Sequence, residues 1–197
     1  EDFGAKHKAL VKWLPATNYW TVTSNGTYRI YAHDQPTLIS SNRYGVKVFR
    51  PSRDDTYYWL EHRAYTVSGA NAFYWTNGVA VTREWDWELL DMTPGSAKGK
   101  DDCPLTVGRT WSDAAAGVHC TPVARGTSPQ PWVDVTVNLD DDARPNHPPV
   151  AVATASTYTT AAGINITLTA TATDPDGDIL AYAWDFGDGN ISVNNLA

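Results

Sequence analysis

The sequence is poor in cysteine, methionine and positive charge, and each shortage narrows the classes of protein to consider. Its 197 residues include two Cys and one Met, and 22 Asp and Glu outnumber 15 Lys and Arg, which gives a formal charge of −7. A nucleic-acid interface needs clustered Lys and Arg, so the composition argues against nucleic acid as a partner. No run of 18 apolar residues occurs, so we expect no helix that spans a membrane.

Motifs of common enzymes are also missing. A zinc peptidase needs two His one helical turn apart and a Glu base, but no two His are four residues apart. The five histidines are His7, His33, His62, His119 and His147. No Gly-x-Ser-x-Gly motif marks a serine hydrolase, and the pair Glu61-His62 lies in a strand pattern that favours a structural histidine. We therefore expect no enzyme active site in this chain.

The residues that are abundant favour β-structure. Hydrophobic residues make up 42% of the chain, and nine Trp and ten Tyr suit half-buried sheet surfaces. Short strand-like runs alternate with Gly, Pro, Asn and Asp turns, which is typical of an antiparallel β-sandwich. One short helix is predicted over residues 6–14, where Leu10, Trp13 and Leu14 have helical spacing and Pro15 ends the run.

Asn25-Gly26 between two β-rich runs predicts a hairpin that joins residues 20–23 to residues 27–32. Further strands are predicted at Tyr44–Phe49, Tyr57–Arg63, Val79–Glu84, Leu105–Val107, Val118–Ala124 and Val133–Leu139. In the run 57–63, alternate side chains should point to opposite faces of one sheet.

A charged, proline-rich segment divides the chain. We expect residues 1–15 to be the terminal helix of an upstream domain, 16–139 a β-sandwich accessory domain, 140–149 a linker, and 150–197 a partial second sandwich. From Asn146 to the end there are about 52 residues, whereas such a sandwich needs roughly 80–100. The first residues also lack an initiator Met and a signal-peptide pattern. We therefore expect a fragment whose missing strands are either cut off or supplied by another chain.

The two cysteines, Cys103 and Cys120, have a spacing that suits a disulfide closing a surface loop. Such a bridge would contribute about 3 kcal/mol for a loop near 15 residues. The alternative is a pair of buried free thiols. We favour the disulfide, because the rest of the chain has an extracellular character.

Residues 146–190 resemble a PKD (polycystic kidney disease) domain. The resemblance rests on Asn-His-Pro-Pro-Val, on the turn Asp174-Pro175-Asp176-Gly177-Asp178, and on Tyr-Ala-Trp-Asp-Phe-Gly-Asp-Gly-Asn at 182–190. It implies an all-β fold in which the second sandwich is a truncated immunoglobulin-like domain. The family occurs in secreted proteins and cell-surface ectodomains, and it implies no chemistry of its own.

Similar domains in some collagenases bind calcium through a D-x-D turn and a linker Asn. By that resemblance, the candidate Ca²⁺ ligands are Asn146, Asp174 and Asp176. Oxygen ligands on turns suit this hard cation, and an extracellular setting supplies it. The alternative is that these are ordinary turn residues, since Asp and Gly make turns without metal.

The first part of the chain resembles the segment after the zinc site in secreted gametolysin-like or immune-inhibitor-A-like metallopeptidases. The resemblance is carried by Lys6–Leu14, Gly26–Tyr31, Tyr58–Arg63 and Leu90–Ser96, with Val11 and Lys12 as departures. It implies a non-catalytic accessory region used for spacing, adhesion or binding to a substrate or surface. A structural subunit of an extracellular filament, completed by strand exchange, is the alternative.

Two further groups of residues bear on partners. Trp85 and Trp87 would share a face of a strand and could stack on sugars, although core packing is the commoner role of such rings. The possible N-glycosylation sites are Asn25, Asn165 and Asn190, each in an Asn-x-Ser/Thr sequence. We therefore expect a secreted or cell-surface protein whose partners are proteins or polysaccharides of the surface or matrix, or further copies joined through open sheet edges.

Overall fold

The computed structural model describes residues 4–50, 56–69, 71–84, 86, 88–140, 147–186 and 191–192. The helices are α1 (Ala5–Leu10) and α2 (Ala72–Thr76). The strands are β1 (Trp20–Val22), β2 (Gly26–Tyr31), β3 (Gly45–Arg50), β4 (Thr56–Glu61), β5 (Gly78–Arg83), β6 (Leu105–Thr106), β7 (Trp111–Asp113), β8 (Val118–Gly126), β9 (Trp132–Leu139), β10 (Val150–Ala155), β11 (Leu168–Thr173), β12 (Trp184–Asp185) and β13 (Ile191–Ser192).

Two sheets face each other and form the first unit. One has the order β1-β3-β4-β5-β6 and the other has the order β2-β9-β8-β7. Strands β1 and β3 run parallel, and the other neighbours pair antiparallel. The core between the sheets is rich in β-branched residues, which pack well on pleated surfaces. It includes Ile30, Val46, Val48, Leu60, Val79, Val81, Val118, Val133, Val135 and Val137. The prediction of an all-β sandwich is confirmed.

Strand β4 is buried on both faces. Tyr58 and Leu60 point into the core between the sheets. Trp59 lies on the other face, where its ring contacts Tyr19 with the centroids 4.9 Å apart. Helix α1 packs on this second face, so the sandwich carries a third layer at one point. The predicted alternation of faces along β4 is therefore present, but neither face is exposed to solvent.

The predicted hairpin at Asn25-Gly26 is wrong. Strand β1 pairs with β3, whereas β2 pairs with β9 in the opposite sheet. The turn therefore carries the chain across the core from one sheet to the other. The Asn25 side chain accepts a hydrogen bond from the backbone N–H of Leu139 at 2.8 Å, so it ties this crossing to the end of β9.

The helix prediction is only partly correct. Helix α1 ends at Leu10, and the positive φ of Lys12 turns the chain before Leu14. Leu14 is buried, but Leu10 and Trp13 are 51% and 63% exposed, so the predicted apolar stripe does not face the core. The short helix α2 was not predicted, because its sequence Ala-Phe-Tyr-Trp-Thr also fits a strand.

The predicted disulfide is not formed. Cys103 and Cys120 are both free and buried. Cys120 lies on β8 among the core side chains, and Cys103 precedes β6 in the opposite sheet. Burial raises the pKa of each thiol to about 12, so both are neutral and act as small apolar side chains. The alternative of buried free thiols describes the structure.

The second unit contains two small sheets. Strands β10 and β11 pair antiparallel along their full length, and β12 pairs with β13. Most apolar side chains described here remain exposed, including Val150 at 62%, Val152 at 58% and Ile179 at 60%. The linker boundary stays a prediction, because residues 141–146 lie outside the described ranges. Among the described residues, no helix is both long and apolar enough to cross a membrane.

Candidate functional site

A cleft of about 320 Å³ lies between the outer face of the four-stranded sheet and the second unit. Strands β7, β8 and β9 supply its floor, and segments 147–149 and 178–181 supply its walls. The lining comprises Gly108, Thr110, Ser112, His119, Thr121, Thr136, Asn138, His147, Pro148, Pro149, Asp174, Asp178, Ile179, Leu180 and Ala181. The cleft is at the small end of the range for ligand sites.

Hydroxyl groups cover one row of the floor. Thr121 on β8 is directly opposite Thr136 on β9 in the strand register. The hydroxyl of Thr121 shares a 2.8 Å hydrogen bond with Thr110, and that of Thr136 shares a 3.0 Å bond with Thr27 on β2. Because side chains alternate along a strand, these hydroxyls all lie on the outer face of the sheet while the neighbouring valines fill the core.

A chain of hydrogen bonds holds the imidazole of His119 in the next row. Ser112 Oγ is 2.8 Å from His119 Nδ1, and Asp140 Oδ2 is 2.9 Å from His119 Nε2. With the Nε2 proton directed at the carboxylate, Nδ1 accepts the serine hydroxyl proton. Ser112 and His119 line the cleft, whereas Asp140 is not among its lining residues. The result is a fixed polar group at the cleft surface.

Two contacts join the walls of the cleft to its floor. The Asn138 amide donates a hydrogen bond to the Asp178 carboxylate. Gly108, with φ of +86°, lies so close to the second unit that a Cβ there would be 2.7 Å from the backbone nitrogen of Ala183. A side chain at position 108 would therefore push the two units apart.

The first acidic turn borders the cleft. Asp174 Oδ1 accepts the backbone N–H groups of Asp176 and Asp178 at 2.8 and 3.3 Å. The Asp176 carboxylate accepts the backbone N–H of His147 at 2.6 Å and contacts its ring nitrogen at 3.0 Å. These hydrogen bonds lower the pKa of Asp176. Both predicted calcium-ligand aspartates therefore lie in one turn, with Asp176 bonded to the start of the second unit.

Four other predicted site residues, Trp85, Trp87, Asn146 and Asn190, lie outside the described residues. Of the remaining glycosylation candidates, Asn25 is at the crossing between the sheets and Asn165 is in the exposed connection between β10 and β11. Within the described ranges, no group of three or more His, Cys, Asp or Glu side chains is placed to hold a metal ion.

A second polar cluster is buried beneath α1, and sequence reasoning did not predict it. At its centre is Glu61, at the end of β4. Its carboxylate accepts the backbone N–H of Ala5 at 2.5 Å and is 3.4 Å from His33 and 3.3 Å from Arg63. Burial alone would raise the pKa of Glu61, but His33, Arg63 and the Ala5 N–H outweigh burial and lower it to about 2.

Two lysines anchor α1 next to this carboxylate. Lys6 Nζ donates to the carbonyl oxygens of Arg83 at 3.1 Å and Glu84 at 2.9 Å. Lys8 Nζ donates to the carbonyl oxygen of His33 at 2.8 Å. Both lysines are buried, so these bonds replace the water that each ammonium loses. Together with Glu61 they fasten the helix to β4, to the end of β5 and to the segment at residue 33.

His62 has no part in the contacts of Glu61, although the two residues are adjacent. Its Nδ1–H donates to the carbonyl oxygen of Gly78 on β5 at 2.9 Å, and the side chain is buried. Successive strand residues point to opposite faces, so the two side chains diverge. They form no joint catalytic site, and the interpretation of His62 as a structural histidine agrees with this geometry.

Comparison with known proteins supports the assignment of the second unit. A family model described as a PKD domain matches residues 146–196. PKD domains are non-catalytic modules that are typically extracellular and mediate protein or carbohydrate interactions. No curated protein and no solved structure matches the chain. The metallopeptidase resemblance of residues 6–96 therefore stays a prediction.

Proposed function

We propose that this chain is a non-catalytic, extracellular accessory region that spaces domains and attaches its parent protein to a surface or substrate. The PKD match at residues 146–196 carries the proposal, because such modules mediate protein or carbohydrate interactions. The sandwich at 16–139 provides the second module. We further propose that the parent protein is a secreted metallopeptidase, because residues Tyr58–Arg63 resemble part of the accessory region of such enzymes. An upstream His-Glu-x-x-His in the parent gene would support that step, and its absence there would remove it.

Retention on surfaces tests the attachment function. The purified chain is applied to insoluble cellulose, chitin and fibrillar collagen, and bound and unbound fractions are quantified. We expect retention on at least one surface with no release of soluble fragments. Passage through all three would contradict attachment. A Trp85→Ala/Trp87→Ala variant tests whether these two rings bind polysaccharide. Loss of retention on cellulose or chitin would assign the binding to the rings, and unchanged retention would exclude them from it.

Calcium is proposed as a structural ligand of the first acidic turn. Asp174 and Asp176 present carboxylate oxygens within one turn, and Asn146 precedes the unit in sequence. With the millimolar affinity typical of extracellular modules, 10 mM Ca²⁺ should add about 1.4 kcal/mol. That corresponds to a rise in Tm of roughly 3–5 °C, measured by differential scanning fluorimetry.

The matched variant is Asp174→Asn. Its side-chain oxygen can still accept the turn N–H groups, so the turn is kept while the charge is removed. We expect the calcium response to vanish in this variant and magnesium to have little effect on either protein. An unchanged Tm in the parent chain at 10 mM Ca²⁺ would remove calcium from the proposal.

The exposed apolar side chains of the second unit favour self-association as a second candidate function. Val150 and Val152 of β10 are more than half exposed. Among the described residues β10 pairs with β11 alone, so its other edge is open, and open sheet edges recruit further strands. We expect the sedimentation coefficient to rise with concentration for the parent chain and to fall to the monomer value for Val152→Lys. Tyr158→Lys places the same charge in a loop and should leave assembly unchanged. A monomer at every concentration would reject this candidate.

A further inference from the structure

We propose that the cleft between the two units binds a neutral saccharide, and this rests on the proposed attachment function. Three observations carry it: a floor of paired hydroxyls, a lining without lysine or arginine, and an apolar wall beside an amide–carboxylate pair.

The floor offers both donors and acceptors. When two hydroxyls share one hydrogen bond, the accepting hydroxyl keeps its proton and both keep lone pairs. Each of the pairs Thr110–Thr121 and Thr27–Thr136 therefore leaves one hydroxyl proton and several lone pairs that can bond a ligand. Ser112 donates its proton to His119 and keeps its lone pairs as acceptors. A saccharide presents hydroxyls that each donate and accept, so it matches such a surface better than a purely accepting or purely donating ligand.

The charge of the lining selects against acidic ligands. Asp174 and Asp178 contribute carboxylates, and the fifteen lining residues include no Lys or Arg. In calcium-free solution, where no metal ion offsets these carboxylates, an anionic sugar such as a uronate would be repelled. A neutral ring avoids that cost and can donate its hydroxyls to the carboxylates.

The wall suits the apolar side of a sugar ring. Pro148, Pro149 and Ile179 are apolar residues of the cleft walls, and Ile179 is 60% exposed. The C–H groups of a pyranose would cover part of this surface, which stabilises the complex through removal of apolar area from water. Asn138 and Asp178 lie side by side at the junction, and an amide beside a carboxylate can bind the two hydroxyls of a vicinal diol.

An array of neutral and uronate-containing oligosaccharides, probed in calcium-free buffer, tests the inference. Isothermal titration calorimetry with the best neutral binder follows in the same buffer. The probe proteins are the whole chain, Thr121→Val and Thr154→Val. Thr121 is on the cleft floor, whereas Thr154 is exposed on β10 outside the cleft. We expect neutral saccharides to be preferred over uronates, about tenfold weaker binding for Thr121→Val, and no change for Thr154→Val.

The saccharide proposal and the attachment function fail on different results. Equal affinity of the parent chain and Thr121→Val, or a preference for uronates, would overturn the cleft assignment and leave the attachment function standing. Absence of binding to every saccharide of the array would also overturn it. Failure of the chain to adhere to any cellulose, chitin or collagen surface would instead contradict the attachment function itself.

Discussion

Glu61→Gln is expected to lower the free energy of unfolding by about 3 kcal/mol at pH 7, because it breaks a buried charged cluster. Gln keeps the size and one acceptor, so the Ala5 N–H can still be bonded. Its amide group, however, would point N–H donors at His33 and Arg63, which are themselves donors. Urea denaturation followed by Trp fluorescence measures the change, with equal slopes in the two proteins as the condition for comparing midpoints.

Glu88→Gln is the matched control. Its carboxylate pairs with Arg83 at 2.6 Å and with Lys100 at 3.6 Å, but the side chain is 45% exposed. Solvent-exposed pairs contribute about 1 kcal/mol or less. If the two variants lose the same stability, the Glu61 cluster has no special role in holding α1 on the sandwich.

Acid is expected to destabilise the protein in two separate steps, and the first belongs to His62. Burial lowers the pKa of His62 to about 4, although the hydrogen bond to Gly78 and the charge of Asp34 oppose this. In the unfolded chain the pKa is about 6.5. As pH falls below 6.5, His62 is protonated in the unfolded state but stays neutral in the folded state. The free energy of unfolding therefore falls by about 3 kcal/mol between pH 6.5 and pH 4.

The second step belongs to Glu61 at lower pH. Its folded pKa of about 2 lies below its ordinary value of 4.5, so its stabilising contribution is complete above pH 4.5 and is lost as pH falls toward 2. The two windows barely overlap. Unfolding free energies measured from pH 8 to pH 3 should therefore show a decline that begins near pH 6.5, well before carboxylates titrate.

His62→Asn isolates the first step. The Asn amide can donate to the Gly78 carbonyl in place of Nδ1–H, and it does not titrate. We expect this variant to be less stable at pH 7, because it fills less of the site, and to show little change in stability between pH 6.5 and 4.5. A variant with the same slope as the parent chain in that interval would show that another group causes the decline. His147→Asn, at an exposed histidine, serves as the control.

Local sequence patterns predicted most strands, but they could not predict how the strands pair. The run at 57–63 and the runs at 118–124 and 133–139 lie within a few residues of β4, β8 and β9. Asn25-Gly26 failed as a hairpin signal because its neighbours pair with β3 and β9, which are distant in sequence. The residues of a turn predict only that the chain changes direction there. Contacts between residues distant in sequence determine which sheet each strand joins.

The candidate site was predictable only in part, for a similar reason. The aspartates 174 and 176 share one turn and could be found from their spacing. The cleft brings Thr121 and Asn138 together with Asp178, which is 40 residues after Asn138 in the sequence. No local sequence pattern predicts that these residues lie close together. The burial of Lys6 and Lys8 was not predicted, because nothing near them in sequence marks the backbone carbonyls of Arg83 and His33 that accept their hydrogen bonds.

The position of β9 determines how the protein responds to tension. Strand β9 ends at Leu139, and it is held along its length by β2 on one side and by β8 on the other. A stretching force along β9 is therefore shared by its hydrogen bonds to β2 and to β8, which must break together before the strand can slide out. The second unit, in contrast, is held to the floor of the cleft near Asn138–Asp178 and Gly108. We expect a stretching force to separate these contacts before it breaks the hydrogen bonds of β9, so that the cleft opens while the sandwich stays folded.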